Sequence, residues 1–256
     1  MRRSLPLLLF VALALTACPI EDQAPTATRS TDLTVFAASS LTAAFTQIGK
    51  DFQSANPGST VTFNFGPSDS LAGQIESEGT ADVFASASGT WMDDVSTKTG
   101  VSDRVDFAKN HLVVITPSDN PAGIAAYADL VNPGVQVVLA AAGVPVGDYA
   151  RESLESAGLL AGVTPNIVSN EEDEASVVAK ITSGEADAGI VYVSSVTPDV
   201  NAVAIPDDVN VTATYPIAVV NGSVNTTVAQ AFVTYVTGSE GQATLRSFGF
   251  LPPPTS

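Results

Sequence analysis

Serines cluster where predicted strands give way to predicted helices. Ser39 and Ser40 follow one apolar strand, and Ser68 and Ser70 follow the next. Serines in such turns often only cap a helix, because the hydroxyl accepts a hydrogen bond from a free backbone N–H. The same free N–H groups and the positive end of the helix dipole can hold an anion, and a hydroxyl adds a further donor. Two such turns facing one cleft could therefore bind an oxyanion without Lys or Arg.

Enzyme chemistry finds weaker support. Residues 66–70 (Gly-Pro-Ser-Asp-Ser) lie where a nucleophile elbow would, with Ser68 as nucleophile and His111, the single histidine, as the possible base. However, Ser70 stands where that motif has its second Gly, and His111 lies at the edge of an apolar strand. We expect no enzyme, and an extracytoplasmic serine hydrolase using Ser68 and His111 is the alternative from a different functional class.

Metal and cofactor sites lack their usual signatures. Residues 171–174 (Glu-Glu-Asp-Glu) precede a predicted helix, where negative charge is favourable, and four consecutive carboxylates cannot all point to one centre. One Cys and one His exclude a disulfide framework and a Cys/His zinc site. The sequence contains no P-loop and no G-x-G-x-x-G motif. We therefore expect no cofactor.

The composition is that of a folded, acidic protein. Of 256 residues, 45% are hydrophobic and 14% are charged, which is enough apolar material for a large core. Ten Lys and Arg against 27 Asp and Glu give a net charge of −17. Because such a charge repels a phosphate backbone, nucleic acid is excluded as a partner.

The N-terminal residues have the pattern of an export signal. Two arginines precede the apolar run 5–14, which is too short to span a bilayer. Residues 15–18 (Leu-Thr-Ala-Cys) resemble the lipobox of bacterial lipoproteins. That resemblance implies a signal peptide over 1–17, a lipid on Cys18 that holds the protein at the membrane outside the cytoplasm, and a Pro- and Thr-rich flexible tether over 18–31. The alternative is an ordinary signal peptide with an incidental cysteine.

From residue 32 onward, apolar runs of strand length alternate with segments of helical periodicity, which predicts parallel strands joined by crossover helices. So many strands predict two sheets in two α/β lobes rather than one large sheet. The predicted strands are 33–37, 61–65, 83–85, 112–116, 135–140, 167–168, 188–193, 203–205, 209–213 and 217–220, and the predicted helices are 41–52, 70–77, 90–97, 149–156, 175–182 and 226–235.

A series of motifs in this frame resembles the molybdate-binding proteins of ABC importers, over roughly residues 32–250. The motifs are Val-Phe-Ala-Ala-Ser-Ser-Leu at 35–41, Ser-x-x-Leu-Ala-x-Gln-Ile-Glu at 68–76, Ala-Asp-Val-Phe-Ala-Ser-Ala at 81–87, Trp-Met-Asp at 91–93, Val-Pro-Val-Gly-x-Tyr-Ala at 144–150, Gly-Ile-Val-Tyr at 189–192, Tyr-Pro-Ile-Ala-Val-Val at 215–220 and Phe-Gly-Phe at 248–250.

The resemblance implies a periplasmic-binding-protein fold of type II, in which two α/β lobes joined by a two-segment hinge close over a ligand. Lobe one would combine 32–109 with 215–256, and lobe two would be 110–214. The chain would cross between the lobes near Lys109–Asn110 and Thr214–Tyr215.

The resemblance also implies a set of hydrogen-bond donors for the molybdate oxyanion. Ser40 and Ser68 would each give a hydroxyl and a backbone N–H. Val146 and Glu174 would give backbone N–H groups at helix starts, and Tyr192 would donate its phenol O–H. The expected function is capture of molybdate, and also tungstate, for delivery to an ABC permease by a monomeric protein. The nearer alternative is the same fold binding sulfate, thiosulfate or a small organic acid.

Two positions depart from the family pattern. Relatives usually carry an apolar residue where this chain has Glu174, often followed by a basic residue where it has Ala175. A carboxylate beside a bound dianion would be repulsive unless the side chain turns to solvent, so this departure bears on affinity rather than on the fold. Asp69 adds a second negative charge, in a turn where small neutral residues are more usual.

Overall fold

The computed structural model describes residues 31–254. The predicted signal peptide, Cys18 and nearly all of the predicted tether lie outside this range. Within it the strands are β1 (Thr31–Ala38), β2 (Ser59–Gly66), β3 (Val83–Ala85), β4 (Val101–Pro117), β5 (Val137–Ala140), β6 (Ile167–Glu171), β7 (Ala188–Tyr192), β8 (Val200–Ala204) and β9 (Thr212–Val220). The helices are α1 (Thr42–Ala55), α2 (Ser68–Glu78), α3 (Gly89–Lys98), α4 (Pro145–Ser156), α5 (Leu160–Val163), α6 (Glu174–Thr182), α7 (Thr226–Thr237) and α8 (Ser239–Ser247).

The predicted β–α alternation is confirmed, and it sets where the loops meet. Strand β1 pairs in parallel with β2 and β3, and β5 pairs in parallel with β6 and β7. Parallel neighbours end at the same edge of a sheet, and the helices that follow them begin there. The carboxyl ends of β1 and β2, and those of β5, β6 and β7, are therefore two sets of loops available to build a site.

The parallel pairing predicted from the β–α units does not extend to β4, β8 and β9. Strand β9 runs antiparallel to β3, and β4 runs antiparallel to β9, β7 and β8. Strands β4 and β9 connect the group of β1, β2 and β3 with the group of β5, β6 and β7. The expected separate sheets therefore form one continuous path, β2-β1-β3-β9-β4-β7-β5-β6, with β8 beside β4. Apolar runs do not carry strand direction, which is why the sequence pattern missed this pairing.

Strand β4 is also much longer than the predicted 112–116. Its first part, Val101–His111, pairs with β9, and its register shifts between Ser102 and Val105 and again between Asp106 and Ala108. The side chains of 102–106 are exposed. Because their side chains are exposed and their register is irregular, residues 102–106 have no apolar pattern to detect. The predicted strand 209–213 is mostly the approach to β9, which starts at Thr212 and continues through the predicted strand 217–220.

The hydrophobic core lies on both faces of strand β1. Val35 of β1 packs in the cluster that contains Phe45 of α1 and Phe232 of α7, whereas its neighbour Phe36 packs in the cluster of α2 and α3 that contains Leu71. Neighbouring residues of a strand point to opposite faces, so helices cover both sides of β1. This packing fixes the helix starts that follow the strands.

Helix α8 and the single-turn α5 were not predicted, because α8 reads as polar and α5 is too short for a periodic pattern. Across residues 31–254 no helix combines the length and the apolar character that crossing a membrane requires.

Candidate functional site

The five residues of the predicted donor set line one cleft. It lies between the loops after β1 and β2 on one side and those after β5, β6 and β7 on the other. Its complete lining is Ala38, Ser39, Ser40, Gly66, Pro67, Ser68, Ala87, Val144, Pro145, Val146, Asp173, Glu174 and Tyr192. None of these side chains is basic. The cleft must therefore hold its ligand by hydrogen bonds and helix dipoles, and ligand contacts by the five residues stay a prediction.

The two serines use their hydroxyls in different ways. Ser68 is 1% exposed, and its Oγ accepts a hydrogen bond from the Ala87 N–H at 3.1 Å, which leaves the hydroxyl proton free to donate. The Ser40 Oγ lies 3.0 Å from the hydroxyl of Tyr215, a fully buried residue of β9. Tyr215 was not predicted to act at the site, although it begins one of the recognised motifs. Its role is to orient Ser40.

The alternative in which these serines only cap helices is wrong for both turns. Pro67 occupies the N-cap of α2 and Ala38 that of the 3-10 turn Ser39–Leu41, and neither start has a side-chain cap. The start of α4 also lacks one. The first N–H groups of a helix have no acceptor within the helix, so uncapped starts in a cleft leave donors for an anion.

Helix α4 reaches the cleft because of a glycine. A Cβ on Gly147 would lie 2.3 Å from the Ala141 carbonyl oxygen and 2.5 Å from that of Ala140. Only glycine therefore lets the start of α4 lie so close to the end of β5. Pro145 at the first turn lacks an N–H, so the first donor of this helix is that of Val146.

The Glu174 side chain does not turn to solvent, so the repulsion anticipated from the sequence is not relieved in that way. It is 4% exposed, its Oε1 accepts the Tyr192 backbone N–H at 2.7 Å, and its Oε2 has no partner among the described residues. Burial raises the pKa of Glu174 to about 7, and the charge of Asp173 adds to this, whereas the hydrogen bond from the Tyr192 N–H and the nearby Ser195 side chain lower it. The carboxyl group is thus held where it readily keeps a proton.

Tyr192 has the unpaired hydroxyl that an anion donor needs. It is 1% exposed, and its Oη has no hydrogen-bond partner in the described part of the chain. Its ring meets that of Tyr215 edge-on, with centroids 5.7 Å apart. Burial raises the pKa of Tyr192 well above its ordinary value, with Tyr215 and Glu174 contributing further. The phenol therefore stays protonated and can donate.

Two contacts that were not predicted join the two sides of the cleft. The indole Nε1 of Trp91 in α3 donates to the carbonyl oxygen of Gly143, before α4, at 2.9 Å. The Ser39 Oγ lies 3.4 Å from Oδ2 of Asp173, the N-cap of α6. Trp91 belongs to a recognised motif, but no periodicity indicates that its edge reaches across a cleft.

Other candidate chemistries find no support in the described residues. His111 does not line the cleft that contains Ser68, and the Ser68 Oγ is engaged by a backbone N–H instead. Residues 31–254 contain no group of three or more His, Cys, Asp or Glu side chains placed to hold a metal ion. Asp69 lies in the first turn of α2, where negative charge is favourable, and does not line the cleft.

Comparison with known proteins identifies the family. Residues 33–251 match the model of the bacterial extracellular solute-binding proteins. The chain is 41% identical over 226 residues to the molybdate-binding protein ModA of Mycobacterium tuberculosis, covering 86% of this chain and 85% of that one.

Two solved structures share the fold. The substrate-binding domain of a putative molybdenum ABC transporter from Clostridium difficile is 28% identical, with a TM-score of 0.68 over 87% of this chain and 99% of that one. The sulfate-binding protein SubI of Mycobacterium tuberculosis is 15% identical and has a TM-score of 0.80 over 87% of both chains, a likeness of fold alone. The chain thus has the two-lobed type II architecture of periplasmic binding proteins. Members of the bacterial extracellular solute-binding protein family are transport components rather than enzymes. This chain belongs to that family and, within it, to the molybdate-binding group.

Proposed function

We propose that the protein captures molybdate, and also tungstate, outside the cytoplasmic membrane and delivers it to an ABC permease. The observation that carries this proposal is the meeting of Ser40, Ser68, Val146, Glu174 and Tyr192 in one cleft without a basic side chain. The function of the 41% identical relative in Mycobacterium tuberculosis supports the choice of ligand.

The donor set suits a tetrahedral dianion. Such an ion loses a large hydration energy when it enters a closed site, and several charge-assisted hydrogen bonds must replace it. Each contributes about 1.5–3 kcal/mol net, so about five can offset desolvation and closure and still give micromolar or tighter binding. Sulfate carries the same charge, but its shorter bonds would leave these hydrogen bonds too long.

Closure of two lobes is part of the proposal. Lobe one would consist of 32–109 with 215–256 and lobe two of 110–214. In the β4·β9 ladder Lys109 pairs with Thr214 and Asn110 pairs with Ala213. Adjacent crossing segments of this kind support a hinge at that point, since a bend there moves one group of strands against the other.

The family is extracellular, which supports the export and membrane attachment inferred from the sequence. We propose that the mature protein is a monomer held at the outer face of the membrane by a lipid on Cys18. Its partners would then be the oxyanion, the permease and the lipid bilayer. No cofactor enters this proposal, because the oxyanion is cargo.

Calorimetric titration of the protein with molybdate, tungstate and sulfate tests the proposal. We expect saturable binding of molybdate and tungstate and far weaker binding of sulfate. The emission of Trp91, the single tryptophan, should change on binding, because its indole contacts Gly143 across the cleft. Clear binding of sulfate with no heat from molybdate or tungstate would overturn the assignment.

A further inference from the structure

A buried acidic residue, Glu174, lines the cleft that we propose binds a dianion. Glu174 is among the residues that line the cleft, and no Lys, Arg or His is among them. Its Oε1 is occupied by the Tyr192 N–H at 2.7 Å, whereas its Oε2 has no partner within residues 31–254. An ionised carboxylate here would repel the dianion at short range, in a site with no cation to offset it.

Protonation of the Glu174 carboxyl group removes its repulsion of the dianion. With Oε1 already accepting an N–H, the proton resides on Oε2, the oxygen without a partner. The neutral acid then changes from a repelling acceptor into a donor, so the cleft lining gains one O–H group beside that of Tyr192. Burial supports this state, since it raises the pKa of Glu174 to about 7 even before a ligand is present.

The charged neighbours of Glu174 favour the proton as well. Asp173 lies beside it at the start of α6, and Tyr192 of β7 and Tyr215 of β9 face it, both with pKa values raised well above the ordinary value by burial. Two neutral phenols and one carboxylate supply no positive charge. A bound dianion would add two negative charges and so hold the proton more strongly.

The other elements packed against α6 do not supply a counter-charge either. Strand β5 and the Ser39–Leu41 turn contain no titratable side chain. On β6, Glu171 is paired with Lys180 of α6 at 2.8 Å. Strand β4 carries five titratable side chains, none of which lines the cleft: Asp103, Arg104, Asp106, Lys109 and His111.

We propose that Glu174 is protonated in the complex and donates its Oε2–H to the oxyanion, so that at a pH where the free carboxyl group is ionised the site takes up one proton from solvent with each dianion that it binds. The inference rests on the proposed function and deepens it, because the bound species becomes a dianion together with one proton. No covalent bond of the anion changes, and the proton stays on the carboxyl group.

Proton uptake can be counted without any substitution. The protein is titrated with sodium molybdate at about pH 8 in two buffers that differ in ionisation enthalpy, and the difference in observed heat gives the protons taken up. We expect about one proton per anion, and an affinity that falls about tenfold per pH unit above about pH 7 and levels off below it.

Glu174→Gln supplies the matched variant. The amide keeps an acceptor for the Tyr192 N–H and a neutral donor on the other atom, so we expect no proton uptake and an affinity that does not change with pH. Glu172→Gln is the control: it removes the same charge two residues away, from an exposed side chain that does not line the cleft, and it should behave like the unchanged protein.

The outcomes separate the two proposals. Molybdate binding without proton uptake and with a flat pH profile in the unchanged protein overturns the role of Glu174 and leaves the proposed function intact. Absence of binding at every pH overturns the proposed function and the inference with it. If Glu174→Gln does not fold, the proton count of the unchanged protein decides alone.

Discussion

Each of the two predicted donor serines at the cleft holds a second group in place as well as offering a donor. The Ser68 hydroxyl anchors the Ala87 N–H at 3.1 Å, and the Ser40 hydroxyl partners the buried Tyr215 hydroxyl at 3.0 Å. Replacing either serine by alanine therefore removes a donor to the anion and also leaves a buried polar group without its partner. The first effect weakens binding, and the second lowers the stability of the fold, because an unsatisfied buried group costs about 1–3 kcal/mol.

We expect Ser40→Ala and Ser68→Ala each to weaken molybdate binding by about tenfold or more, since a hydrogen bond to a charged acceptor contributes about 1.5–3 kcal/mol. Tyr192→Phe should weaken molybdate binding less, because the Tyr192 hydroxyl has no partner in the described chain and its removal leaves no other group without a partner. Titration calorimetry measures all three. Ser70→Ala, at an exposed serine of the same turn, is the control, and unchanged affinity in both cleft serine variants would reject the site.

At the scale of elements, the site depends on how closely helix starts approach strand ends. Helix α4 is the clearest case, because its first turn packs on the carbonyl groups at the end of β5 and any Cβ at Gly147 would overlap them. The donor at Val146 is therefore positioned by a residue that itself offers no side chain. A shift of the helix by a fraction of an ångström would lengthen the hydrogen bond that this donor makes.

Gly147→Ala should displace the start of α4, lowering molybdate affinity about tenfold and the free energy of unfolding by about 1–3 kcal/mol, as other overpacked sites do. Gly73→Ala in α2 is the matched control, since a Cβ there meets nothing within 4 Å. That variant should keep its molybdate affinity, and its free energy of unfolding should rise by about 0.5–1 kcal/mol. Urea unfolding and calorimetry test both, and a fully active, stable Gly147→Ala would show that α4 does not need this close contact.

At the scale of the molecule, the two sides of the cleft meet at few polar contacts. The Trp91 indole N–H bonded to the Gly143 carbonyl oxygen joins α3 to the start of α4 across the mouth of the cleft. A contact of this kind stabilises the closed arrangement without touching the ligand. It should therefore act mainly on how long the cleft stays closed.

Trp91→Phe keeps an aromatic ring and removes the indole N–H. A neutral hydrogen bond contributes about 0.5–1.5 kcal/mol, so we expect affinity to fall by about two- to tenfold, with most of the change in the dissociation rate. The rate at which isotope-labelled molybdate is released after addition of excess unlabelled molybdate measures the dissociation rate, without relying on the tryptophan that the variant lacks. A Trp91→Phe protein with unchanged dissociation would show that this contact does not hold the cleft closed.

The sequence by itself determined the order of elements and the serine turns, because strand and helix periodicities and turn residues are local properties. It also determined the family, since motifs such as residues 35–41 and 189–192 are short and occur in a fixed order. The five candidate site residues came from that resemblance. The structure then brought them to one cleft, because parallel strands end at a common edge.

Only the tertiary structure decided the direction of β4 and β9 and the environment of Glu174. Strand direction depends on long-range pairing, such as Lys109 with Thr214, which no local pattern encodes. A glutamate at a helix start reads as an exposed charge from the sequence, and only the burial of its side chain against Tyr192 raises its pKa to about 7. Ionisation depends on three-dimensional surroundings, so the protonation of this site could be inferred only after the chain was folded.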